Sequence, residues 1–135
     1  MGAPLLEPIA TRRLALVPSG RPVVIELDAP SRLRDGEWVC AHRIRGLGRT
    51  RAGRSRGTDS LQALQLAIEA VRRELEPFGS RLTWSGEAGE LGLPAAVPDY
   101  FGGEFRRRME RVVQLETERE ARRLSAPEGD RRPTG

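Results

Sequence analysis

Cys40 and His42 stand two residues apart in a stretch where Trp38, Cys40, His42 and Ile44 alternate with Val39, Ala41, Arg43 and Arg45. On a strand, side chains two apart share a face, so the thiol and the imidazole lie side by side. The chemistry this spacing would allow is nucleophilic, with the imidazole generating the thiolate. The same face also holds Trp38 and Ile44, which predicts that it lies against a helix. A buried thiol there is inert, and its histidine is a packed, hydrogen-bonded core residue. The chain has 1 Cys and 1 His. A zinc site draws three or four ligands from such residues, so no metal site is expected, and no internal disulfide framework either.

Glu26, Asp28, Asp35 and Glu37 cluster around one chain reversal. General acid–base work needs a carboxyl in an apolar pocket, where its pKa is raised. On a strand face and a turn, these acids are instead predicted to be solvated. Gly46-Leu47-Gly48 is too short to cradle a phosphate and opens no helix, so no nucleotide cofactor is expected. With no catalytic constellation and no cofactor motif, the chain is predicted to be non-enzymatic.

The local anomaly is basic. Arg43, Arg45, Arg49, Arg51, Arg54 and Arg56 fall between residues 43 and 56 without an intervening acid. On a hairpin they would form a stripe suited to phosphate contacts. The segment has no aromatic side chain on which a base could stack, and an edge strand also uses such charges to prevent edge-to-edge pairing. All 23 basic side chains are arginine, alongside 15 Gly and 10 Pro. That bias is the mark of a GC-rich bacterial genome and accounts for abundant arginine without invoking a ligand.

The elements that must carry these residues follow from periodicity. Leu14 and Leu16 mark a first strand that ends at Pro18-Ser19-Gly20, and Val23, Ile25 and Leu27 mark a second. Asp35-Gly36 favours a tight reversal into a third strand, Glu37 to Arg45. Gly46-Leu47-Gly48 leads into residues 49–56, which read as a polar fourth strand or as a flexible loop. Over residues 59–76, Leu61, Leu64, Ile68, Val71 and Leu75 recur at helical spacing. Asp59 caps that helix with Gln62 reaching back, and Pro77 and Gly79 close it. Arg81 to Trp84 makes a last short strand, and Gly86 to Pro98 is predicted to be irregular.

A second helix is predicted from about Gly103 to Leu124. Phe105, Met109, Val112 and Val113 give its first half an apolar stripe. Its second half is laced by charge pairs, Glu116 with Arg119 and Glu118 with Arg122. The expected architecture is α+β, β-β-β-β-α-β-α: an antiparallel sheet of four or five strands, one helix packed across a face, and a second C-terminal helix. Residues 11–124 are read as one domain between a flexible arm, 1–10, and a disordered tail, 125–135. The chain has no run of 18 apolar residues and its first 13 residues carry no apolar stretch of signal-peptide length. With its single cysteine, this predicts a cytoplasmic protein with no membrane partner.

Two runs carry a resemblance. They are Glu37-Trp38-Val39-Cys40-Ala41-His42-Arg43-Ile44-Arg45-Gly46-Leu47-Gly48 and Gly57-Thr58-Asp59-Ser60-Leu61-Gln62-Ala63-Leu64-Gln65-Leu66-Ala67-Ile68. With their Trp-x-Cys strand, Gly-Leu-Gly turn and Gly-x-Asp-x-x-Gln-Ala-Leu helix start, they resemble a family of small bacterial proteins known as an uncharacterised domain of unknown function. The resemblance runs from about Thr11 to Leu124. It implies a bacterial source and a shared fold, and carries over no activity; the arginines at 49–56 lie outside its pattern. The leading expectation is a module that binds another protein or a second copy of itself, in an accessory or immunity-type role, using Phe105, Met109, Val112 and Val113. The second is RNA or polyanion binding through the 43–56 arginines.

Overall fold

Every period-two segment of the chain becomes a strand of one antiparallel sheet. In the computed structural model, which describes residues 8–95 and 101–127, the strands are β1 (Ala10–Leu16), β2 (Pro22–Leu27), β3 (Ser31–Arg32), β4 (Trp38–Arg45), β5 (Arg51–Gly57) and β6 (Leu82–Thr83). Helix α1 (Ser60–Leu75) follows β5 and runs into a short 3-10 helix, Glu76–Arg81; α2 (Gly102–Ser125) comes last. One edge of β4 pairs with β5, the other with β2 and β3 in succession; β1 lies beside β2 and β6 beside β1. The sheet thus has six strands, and the unforeseen one is β3, a two-residue segment that rejoins β4 after Pro30. Most of the 49–56 segment resolves as a strand, since β5 pairs with β4 from Trp38↔Gly57 to Ile44↔Arg51, while Arg49 and Thr50 precede it.

The chain divides into two compact units, Met1–Ala95 and Ala96–Gly135. Residues 11–124, expected as one domain, fall in both. Of the expected N-terminal arm, residues 1–7 lie outside the described residues, while Ile9 already donates to the Leu27 carbonyl and Ala10 opens β1. Most of the expected tail, 128–135, also lies outside them.

In the first unit, alternation sends Leu14, Val23, Ile25, Leu27, Cys40, His42 and Ile44 to one face of the sheet, where all are buried. Helix α1 crosses that face over β4 and β5. Its start is built as the sequence predicts. The Asp59 carboxylate accepts from the Gln62 amide at 2.7 Å, and the Gln62 side chain reaches back to the Thr58 amide at 2.7 Å.

The face α1 buries differs from the predicted stripe. Ala63, Ala67, Val71 and Leu75 are buried, Leu64 and Ile68 only partly, and Leu61 is 62% exposed. The reason is close approach. A Cβ placed on Gly57 would stand 2.5 Å from the Ala63 amide nitrogen, so helix and strand backbones meet where neither carries bulk. Alanines therefore point down, and the larger Leu61 is turned outward. Deeper in, Val71 and Leu75 each contribute about 2 kcal/mol by leaving water.

From Gly86 to Ala95 the chain is largely irregular, as expected, but pinned; the rest of the expected stretch, 96–98, lies outside the described residues. Leu91 and Leu93 pack on the core, and the Arg12 guanidinium lies 4.0 Å over the Trp84 ring while donating to the Leu91 and Gly92 carbonyls.

Gly57→Ala should cost about 1–3 kcal/mol in urea unfolding, because backbone faces the new methyl group. Gly79→Ala, with nothing within 4 Å of the added carbon, should stay within about 0.5 kcal/mol.

Candidate interaction surfaces

The residues with nucleophilic spacing end inside the helix–sheet layer. His42 is 2% exposed, and its Nε2 lies 2.9 Å from Glu74 Oε1 on α1. Its ring rests against Gly53 of β5, where a Cβ would come within 2.5 Å of Cε1. Nδ1 is buried and has no hydrogen-bond partner among the described residues. Cys40 is fully buried and its Sγ donates to the Asp28 carbonyl at 3.4 Å. Burial, and then the charge of Asp28, push the thiol's pKa up, so the neutral form persists. The imidazole thus ties α1 to β4. Glu74, its partner, carried no signal in the sequence, since it is one of several acids on a helix.

The opposite face of the sheet holds Val39, Ala41, Arg43 and Arg45 of β4, Val24 and Glu26 of β2, and Ala52, Arg54 and Arg56 of β5. Register joins the two charge groups that the sequence presents separately. Glu26 stands opposite Arg43, one row from Arg45. Arg43 grips Asp28 with both terminal nitrogens, at 2.9 and 2.7 Å, and lies 4.0 Å from Glu26. Arg45 bonds the other Glu26 oxygen. Arg56 donates to Glu37 at 2.7 Å and to Asp35 at 2.5 Å.

The expectation that these four acids are simply solvated is corrected for two of them: Glu26, only 7% exposed, and Asp28 are sheltered and ion-paired, whereas Asp35 and Glu37 pair with Arg56 while staying exposed to water. Hydrogen bonding to Asp28 raises the Arg43 pKa further, and the bond to Glu37 does the same for Arg56, so both guanidiniums stay charged. The two-residue beat of Glu26 and Asp28 matches that of Arg43 and Arg45, a signal the sequence did contain.

The six candidate arginines therefore separate. Arg43, Arg45 and Arg56 are held by carboxylates. Arg51, on the helix side, lies 4.9 Å over the Phe78 ring. Arg49 and Arg54 are exposed and have no carboxylate within ion-pair distance among the described residues.

In the second unit, no residue of α2 is buried. Phe105 and Met109 are half-covered, whereas Val112 is 51% and Val113 61% exposed, so the predicted stripe is left largely uncovered. Local pairs support the helix: Arg106 with Glu110 at 3.1 Å, Glu116 with Arg119 at 3.2 Å and Glu120 with Arg123 at 2.5 Å. Glu118, expected to face Arg122, instead accepts from Gln114 at 3.1 Å. Such exposed pairs, screened by water, stabilise the helix only weakly beside the burial of an apolar stripe.

The model of a family described as a domain of unknown function, DUF6968, matches residues 10–95. The chain belongs to that family. The match ends where the first compact unit ends, so it covers the whole sheet and α1 and stops short of α2 and of the Leu124 limit of the resemblance. No curated protein and no solved structure matches.

Two measurements follow. Arg43→Leu should destabilise the protein by about 1–3 kcal/mol in urea, because Asp28 and Glu26 lose a partner while sheltered from water. Arg54→Gln should stay within about 0.5 kcal/mol. An aromatic disulfide reagent at neutral pH should label Cys40 only at the rate of unfolding. Fast stoichiometric labelling of the native protein would instead put the thiol in an open cleft and restore the nucleophile reading.

Proposed function

We propose that this chain is a non-enzymatic module that binds another protein through the apolar stripe of α2. The carrying observation is a helix of 24 residues, none of them buried, with Val112 and Val113 more than half exposed. Amphipathic helices draw most of their stability from covering such a stripe, and exposed apolar patches mark protein contacts. Phe101 and Phe105 extend the surface, their rings 5.0 Å apart edge to face. Aromatic anchors of this kind dominate binding energy at protein interfaces.

The non-enzymatic part of the reading is supported by the fate of Cys40 and His42, both enclosed beneath α1. A single sheltered thiol also fits a reducing, cytoplasmic setting. An accessory or immunity-type role, in which a small domain acts by holding a partner, agrees with a surface that offers contacts and no reactive group. The polyanion reading has weaker support, because carboxylates of the same unit already hold Arg43, Arg45 and Arg56.

The test is a double substitution, Val112→Glu with Val113→Glu, in the full chain. Glutamate is a good helix former, so α2 persists while its stripe becomes charged. A protein retained from the host lysate by the parent chain should be lost by the variant, with unfolding of the sheet unit unchanged. Equal retention by both would refute the proposed surface.

A further inference from the structure

We infer that the outer edge of β5 takes up an acidic, extended segment of a partner protein as an added strand. This stands apart from the α2 reading, because it concerns the other unit and a different kind of contact. Among the described residues β5 pairs with β4 alone, so the backbone groups along its other side have no strand to meet. It presents seven residues in regular register, enough for a short peptide to add main-chain hydrogen bonds. Gly53 and Gly57 have no side chains because His42 and α1 occupy the space inside, which leaves arginine as the dominant side chain along the strand.

Charge selects the occupant. A second copy of this strand would bring Arg51, Arg54 and Arg56 against their own kind, so self-pairing is opposed. The same repulsion becomes attraction for a strand carrying carboxylates, which makes a defensive edge a selective one. The molecule already shows the fit: Asp35 and Glu37 reach across to Arg56 at one end of β5, at 2.5 and 2.7 Å. Arg54, two residues back on the same face, stands opposite small Ala41, and Arg49 lies just before the strand. Neither has a carboxylate within ion-pair distance among the described residues. A strand with acids at alternate positions would supply Arg54 with the partner that Arg56 has. The absence of aromatic side chains on β5 favours this occupant over a single-stranded nucleic acid, whose bases would have no stacking platform.

The probe is a heptapeptide alternating Glu and Thr, acetylated and amidated, titrated at low salt into the nitrogen-15-labelled full chain. Amide shifts should concentrate on residues 49–57, and β5 amides should exchange more slowly with solvent. Arg49→Glu with Arg54→Glu should weaken binding roughly tenfold or more, and the variant should take the Lys-Thr counterpart instead. The milder Arg54→Gln should still lower affinity, in a chain whose spectrum is otherwise unchanged. A peptide with N-methylated backbone should not bind. Shifts absent from β5, equal affinity of the N-methylated peptide, or unaltered binding by both arginine variants would each overturn the inference. So would a mixed-sequence single-stranded oligonucleotide that binds the same arginines more tightly than the peptide, which would mark a polyanion surface.

Discussion

At Gly57 the backbone of α1 comes so near β5 that one added methyl group would stand 2.5 Å from the Ala63 amide nitrogen. Most of the first unit follows from that approach. It requires small residues on both sides, so Ala63 and Ala67 rather than Leu61 face the sheet. It also brings Glu74 to His42 and closes the layer over Cys40. Interiors are packed nearly as densely as crystals, and here that packing encloses Cys40 and His42.

The far side of the sheet is governed by electrostatics. A half-exposed antiparallel sheet ordinarily turns polar residues to water. Here the polar residues are opposite charges set in register, with Glu26 and Asp28 on one strand edge and Arg43 and Arg45 on its neighbour. Sheltered carboxylates need such partners, because an unpaired charge out of water is costly. An arginine-rich segment looks like a uniform basic stripe, yet about half of it is occupied by its own acids, and the remainder is concentrated at β5.

The second unit obeys different rules. Helix α2 is supported by neighbours three and four residues away, a local form of stability that does not bury its apolar stripe. The family match stops before it, at residue 95. The enclosed layer belongs to the part shared with the family, and the α2 stripe lies in sequence beyond it.

Local order was largely legible from residue types. Alternation in β2 and β4, the Asp59 cap with its returning Gln62, and the helical spacing of α1 all depend on neighbours a few residues apart. The shared face of Cys40 and His42 belongs with them, since the pleat alone imposes it. Tertiary structure decided what those faces meet. Which side of α1 turns inward depends on how closely two backbones can approach, which no helical period contains. Whether Arg43 is a free cation or the partner of Asp28 depends on strand register between segments 15 residues apart. Periodicity is a property of one element, whereas pairing and close contact belong to two, and the chain must fold before the second element is in place.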